Sequence, residues 1–137
     1  MFPELYGVNA GSNNLTGFTN DQVAAFCLNL ASQTSAKLDT AALATALNVY
    51  ATTASLGGGQ AQAYGFDVTA DGLGAASYNV GLNGSAFGVA NNTTLTVFAL
   101  LVDVDSFAVN GVLYNGNKTL RNEAMSVFGA IDSLGGI

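Results

Sequence analysis

Nine acids carry most of the acid–base or metal chemistry open to this chain, because it has no histidine and a single cysteine, Cys27. Those counts exclude a Ser-His-Asp triad, a histidine base, histidine metal sites, an intrachain disulfide and a cysteine-cluster zinc site. The closest acidic pair is Asp103 and Asp105, followed by Asp67 and Asp71. Glycoside hydrolysis needs two carboxylates about 5–9.5 Å apart across a cleft. On a helix, Asp103 and Asp105 would point to different faces; on a strand they would share one. Asp67 and Asp71 would have to converge from a turn. Calcium needs 6–8 oxygen ligands, usually with several carboxylates. Asn115-x-Asn117-x-Thr119 followed by Glu123 has the alternation of an oxygen-ligand loop but no Asp at the expected positions. Asn115, Asn117 and Glu123, helped by Asp103 or Asp105, are the candidate ligands. The competing reading is a turn in which Asn117 caps the last helix.

Two further chemistries deserve placing. Tyr64, Tyr78 and Phe87 lie in a Gly/Asn-rich stretch beside Asn79 and Asn83, which makes Tyr64, Tyr78, Asn79 and Asn83 candidate glycan contacts. There is no Trp to stack on a sugar, and packing of these rings into a core competes with that reading. A Lys–Asn isopeptide cross-link needs a buried lysine. Only Lys37 and Lys118 are present, both at expected helix starts. Cations are scarce, yet Lys118 and Arg121 fall together in the first turn of the expected last helix, where they oppose its dipole. We expect Asp103 or Asp105 to compensate them across a short connection. The alternatives are a solvated, uncompensated pair and an anionic partner bound at Lys118 and Arg121.

The chain has 137 residues, enough for one domain with a real core. Charged residues are 9%, against about 25% in ordinary soluble domains, so neither a disordered polyelectrolyte nor a highly charged helix bundle fits. Three cations against nine acids give −6. That excludes binding of nucleic acid by counterion release and disfavours anionic membranes. The longest apolar run, Val97 to Val102, is far short of the roughly 20 residues that cross a bilayer. Met1-Phe2-Pro3-Glu4 lacks the basic start and apolar stretch of a signal peptide, and we read Met1 as the start of an excised module. Asn (14), Thr (12), Ser (9) and Gly (17) supply the polar surface in place of Lys and Glu, a style associated with extracellular bacterial proteins. Sequons occur at Asn14, Asn83, Asn91, Asn92 and Asn117.

The elements that must hold these residues follow from periodicity. Residues 1–18 read as loop, broken by Gly7, Gly11 and Gly17. Thr19-Asn20-Asp21-Gln22 is a capping box, after which Val23, Phe26, Cys27 and Leu30 line one helical face to about Gln33. On that face Cys27 reads as a buried, inert thiol. A second helix is expected from Asp39 to about Ala54, with Leu43, Leu47 and Tyr50 as its stripe, ended by Gly57-Gly58-Gly59. Phe66-Asp67-Val68-Thr69, Ser77-Tyr78-Asn79-Val80 and Ala86-Phe87-Gly88-Val89 suggest short strands, with Asn83-Gly84 as a type I′ turn. Asn92-Thr93-Thr94 is the expected cap of a third helix, Leu95 to about Val109. A final helix runs from about Lys118 to Ser133 and stops at Gly135-Gly136. Leu43, Leu47, Phe98, Leu101, Val127 and Phe128 should form the core.

Four segments are distinctive together: Leu43-Ala44-Thr45-Ala46-Leu47-Asn48-Val49-Tyr50, Ala63-Tyr64-Gly65-Phe66-Asp67-Val68-Thr69, Tyr78 through Val89, and Ala108 through Asn117. They resemble an uncharacterised C-terminal module of large, multi-domain, secreted or surface bacterial proteins that also carry immunoglobulin-like or Cna-B-like repeats. The resemblance covers nearly the whole chain. It implies location and architecture and carries no site residues.

The expected fold is therefore α+β: one mainly helical domain over 1–137, about four helices, with a small β-hairpin or three-stranded insert around 64–89. The expected role is a non-catalytic module at the cell surface or outside the cell, serving assembly, attachment or spacing. Its partners would be itself, as a homo-oligomer, or neighbouring domains of the same protein. No nucleic acid, membrane insertion or cofactor is expected, calcium being the one metal the donors would suit. A glycan- or calcium-dependent binding module is the alternative, and a carboxylate-based hydrolase the third reading.

Overall fold

The structure, a computed structural model, describes residues 2–33 and 36–134. Among them are five helices: α1 (Asn20–Ala31), α2 (Lys37–Thr52), the single turn α3 (Ala54–Gly57), α4 (Val97–Ser106) and α5 (Lys118–Ser133). A two-stranded antiparallel sheet pairs β1 (Ser77–Asn79) with β2 (Thr94–Thr96), Tyr78 opposite Leu95. The chain is thus the mainly helical α+β domain expected. None of its described helices is long and apolar enough to cross a membrane.

Three helix starts are set by side-chain caps. Thr19 accepts from the Gln22 N–H while the Gln22 side chain accepts from the Thr19 N–H, closing the capping box that opens α1. Asn117 Oδ1 accepts from the Leu120 N–H and starts α5 as expected. Thr96, not the Asn92-Thr93-Thr94 run, caps α4 by accepting from the Ala99 N–H. Thr94 and Leu95 instead belong to β2: the β-branched run favours extended backbone until Thr96 turns it into helix. The Gly135-Gly136 stop lies outside the described residues.

α2 and α5 form the most extensive helix pair, and α4 lies against both α2 and the short 3-10 turns at 73–75 and 84–87. Leu100, Leu101 and Val104 from α4 share one buried cluster with Val127, Phe128 and Ile131 from α5, and with Leu38, Ala42 and Val49 from α2. Phe87 packs edge-on against Phe128. Leu43, Leu101, Val127 and Phe128 are buried as expected, but Leu47 is only half-buried and Phe98 is 40% exposed. The reason lies in α2. Its buried stripe is Leu38, Ala41, Ala42, Thr45, Val49 and Thr52, mostly small or β-branched residues at helical spacing, with Leu43 buried beside it. Leu47 and Tyr50 sit to one side of that stripe. On α4 the buried positions are 97, 100, 101, 104 and 105, which leaves Phe98 at the edge.

The expected β insert is corrected in detail. Residues 84–87 form a 3-10 turn, not a strand. Asn83 has φ −103°, whereas a type I′ turn needs positive φ at both central residues. Phe66 to Thr69 contributes only an isolated bridge between Thr69 and Thr53. The second strand therefore comes from beyond the insert.

The N-terminal segment is turn-like, as read, but it is not a free loop. Phe2, Leu5 and Ala10 are buried, and Phe2 packs against Phe98, ring centroids 6.0 Å apart. Asp105 holds this strap to α4. Its Oδ1 accepts from the Glu4 N–H at 3.1 Å and the Leu5 N–H at 2.9 Å, and the residue is 8% exposed. The Gly111 N–H donates back to the Glu4 carbonyl, and Asn13 Nδ2 to the Gly111 carbonyl.

Burial raises the Asp105 pKa, more than the two N–H donors lower it. A carboxyl with a raised folded pKa stabilises the fold in its protonated form. That contribution is complete below the unfolded pKa and is lost as pH rises through the folded one. Asp105→Asn keeps an oxygen acceptor for both N–H groups and removes the buried charge. It should match or exceed the wild type at pH 7 in denaturant unfolding. Its advantage should fade as the pH is lowered toward the carboxylate range. Asp105→Ala orphans two N–H donors and should lose about 1–3 kcal/mol at pH 7.

Candidate functional site

The acids that the sequence offers for catalysis are dispersed. Asp103 and Asp105 lie two residues apart on helix α4, which directs them to different sides. Asp105 faces the N-terminal strap, while Asp103 is half-buried with its pKa raised by burial. Asp67 lines a cavity of about 160 Å³ with Thr52 and Thr69. Asp71 lines a different cavity of about 450 Å³ with Phe98 and Thr53. Neither pair lines a shared cavity among those described. Asp132 accepts from the buried Thr45 hydroxyl at 2.7 Å, and burial raises its pKa despite that bond.

The oxygen-ligand loop is likewise engaged piecemeal. Asn117 caps α5, Asn115 is exposed at φ +49°, and Glu123 accepts from the Ser85 hydroxyl. Among the described residues no three His, Cys, Asp or Glu side chains gather closely enough to hold a metal ion. Lys37 and Lys118 are both exposed, unlike a cross-linking lysine. Tyr64 is 84% exposed, while Tyr78 packs against the core from β1. Asn79 bonds the Asn92 carbonyl and the Gly81 N–H. None of the five cavities described is lined by Tyr64, Tyr78, Asn79 or Asn83.

Arg121 has an acidic partner, but not the expected one. Its Nη2 lies 3.0 Å from Asp39 Oδ2 in the first turn of α2, and its Nη1 donates to the Leu113 carbonyl. Asp105 is committed to the strap, which leaves Asp39 as the acid that the α2–α5 packing brings to α5. Asp39 suits two positive ends at once, the α2 N-terminus and the guanidinium, and offsets the dipole conflict of Arg121. The side chains are 21% and 25% exposed.

This ion pair lies in the wall of the largest cavity described, about 620 Å³ and mostly polar. Ser12 and Asn13 of the strap, Asn29 of α1 and Gln33 just beyond it, and Gly111 and Gly116 also line it, together with the apolar Leu30, Ala36 and Val112. Between 110 and 116 the chain has positive φ at Asn110, Gly111, Tyr114, Asn115 and Gly116. Left-handed backbone costs about 1–2 kcal/mol per non-glycine residue. It is held by the Tyr114 hydroxyl, which donates to the Ala86 carbonyl at 2.6 Å, and by stacking of Tyr114 on Phe107. Burial pushes the Tyr114 phenol pKa well above its usual range. The sequence reading missed Ser12, Asn13, Asn29, Gln33 and Asp39. The only sequence signal was the i, i+4 amide pair Asn29–Gln33, joined at 3.0 Å.

A second surface is apolar. α1 has no buried residue; Val23, Phe26, Cys27 and Leu30 are half-buried and Leu28 is 74% exposed. A groove of about 360 Å³ runs between α1 and α2, lined by Cys27, Leu28, Leu43, Ala44 and Leu47. It shares Ala31, Thr40 and Ala44 with a neighbouring cavity of about 340 Å³ that reaches Met125 on α5. Cys27 is thus half-buried rather than buried. Desolvation raises its thiol pKa, which keeps it protonated and unreactive at neutral pH.

The ion pair is testable by a double-mutant cycle on Asp39→Ala and Arg121→Ala. A partly exposed pair should couple by about 0.5–1 kcal/mol in denaturant unfolding. Parallel cycles of Arg121→Ala with Asp103→Ala and with Asp105→Ala should be additive.

Comparison of the chain with protein-family models, with curated proteins and with solved structures returned no match.

Proposed function

We propose that this chain is a non-catalytic module of an extracellular bacterial surface protein, and that it assembles by docking a second copy of itself through the groove between α1 and α2. The observation that carries this reading is an apolar face left uncovered on a chain of net charge −6. No charged residue lies between Asp21 and Lys37, and none between Asp39 and Asp67. The groove is therefore walled by uncharged side chains, and Lys37 and Asp132 line only the cavity that adjoins it. Two copies meeting through this face bring apolar surface together without opposing their acids, whereas contact through an acidic face would cost like-charge repulsion. A strongly charged partner would find nothing there to pair with. Leu28 stands out from one rim and offers a side chain of the right size for the partner's groove between Leu43 and Leu47.

The non-catalytic part of the reading is supported by the acids. Asp39, Asp105, Asp132 and Glu123 are each bound to a partner within the fold, and Asp67 and Asp71 line separate cavities. The extracellular assignment rests on the Asn/Thr/Ser/Gly surface and on the resemblance of residues 43–50, 63–69, 78–89 and 108–117 to modules of surface proteins.

Sedimentation equilibrium over a concentration series tests the reading. The full chain should show a reversible monomer–dimer equilibrium that a calcium chelator does not alter. Leu28→Glu changes an exposed residue and should leave a folded monomer. A wild-type chain that stays monomeric throughout, or a dimer that Leu28→Glu leaves intact, would contradict self-assembly through this face.

A further inference from the structure

We infer that the cavity at the Asp39–Arg121 pair is a binding site for a neutral saccharide. The cavity of about 620 Å³ falls within the roughly 300–1,000 Å³ typical of small-ligand sites. It is distinct from the apolar groove: polar side chains and an ion pair line most of it, with Leu30, Ala36 and Val112 as its apolar part.

Charge is the first discriminator. Asp39 and Arg121 neutralise each other at 3.0 Å, so the wall carries no net charge from its ionised groups. An anion would have to compete with Asp39 for the guanidinium, and a cation with Arg121 for the carboxylate. A neutral ligand meets both groups without displacing either. Hydrogen-bonding capacity is the second. A guanidinium offers five N–H donors, and two of its nitrogens are engaged by Asp39 and Leu113. Among the described residues the Asp39 carboxylate is engaged through Oδ2. Asn29 and Gln33 add two amides, each able to donate and accept, and Ser12 adds a hydroxyl. Mixed donors and acceptors on planar groups suit neighbouring hydroxyls, each of which also donates and accepts. An apolar ligand would strand these groups without partners.

Pre-organisation is the third. Asn13, at one wall, is fixed by its bond to the Gly111 carbonyl, and Asn29 and Gln33 by their bond to each other. The adjoining wall is the left-handed 110–116 segment, clamped by Tyr114. Walls already in place lower the entropy lost when a weakly bound sugar is ordered.

The test is a titration of the isotope-labelled full chain, followed by backbone and Arg121 side-chain NMR shifts. The probes are glucose, galactose, N-acetylglucosamine and its dimer, with glucuronate as the charged arm. Saturable shifts at Asn13, Asn29, Gly111 and Arg121 are expected with at least one neutral probe, at dissociation constants on the order of millimolar. Asn29 and Gln33 are exposed, so the double variant Asn29→Ala/Gln33→Ala keeps the fold and should weaken binding about tenfold or more. Leu28→Glu, on the other face, should not alter it. The inference is overturned if no neutral probe shifts these residues, if only glucuronate does, or if the double variant binds as the wild type does.

Discussion

A single buried carboxylate ties the two ends of this fold's organisation together. Asp105 sits on α4, inside the core, and accepts two backbone N–H groups from a segment a hundred residues away. That bond pair lets Phe2 and Leu5 enter the core, sets Glu4 where the Gly111 N–H can reach its carbonyl, and so places Asn13 against the 110–116 segment. The cavity at Asp39–Arg121 has walls on the strap, α1, α2, the 110–116 segment and α5. Without the strap it would lose one of them. A desolvated charge is costly unless it is well bonded, and here two N–H donors recover part of the cost.

Scarcity of charge shapes the rest. With three cations available, ion pairing cannot organise the surface, and the described pair is Asp39–Arg121. Other acids are held by hydroxyls and backbone amides: Asp132 by Thr45, Glu123 by Ser85, Asp105 by the strap. Acids bound in this way act as scaffold, and the surface they leave is amide, hydroxyl and apolar. Our reading of the chain as a binding and assembly module follows from those two surfaces: an apolar groove beside α1 and a neutral polar cavity beside the strap.

Helix positions were legible where caps and long-range periodicity agreed. The Thr19–Gln22 capping box and the Asn117 cap each mark a real helix start, because one side chain bonding one N–H is a local event. The α2 stripe was misread because size was taken for burial. Thr45 and Thr52 are buried with their hydroxyls bonded to α2 carbonyls, while Tyr50 is 52% exposed. The β pairing joined 77–79 to 94–96 across a 3-10 turn, a non-local choice that no turn signal at Asn83-Gly84 could report. The partner of Arg121 was missed for the same reason. Asp39 is 82 residues away and is delivered by α2–α5 packing. The polar cavity was illegible because its residues come from three stretches far apart in the chain, 12–13, 29–39 and 111–121.

The central claim is that the α1–α2 face is where copies of this chain meet. It is tested most directly by amide NMR shifts of the unmodified chain recorded as a function of its own concentration. Our account predicts concentration-dependent shifts that cluster on Cys27, Leu28, Ala31, Ala44 and Leu47, with the strap and the 110–116 segment unchanged. Shifts that cluster on another face, or spectra that do not change with concentration, would contradict it.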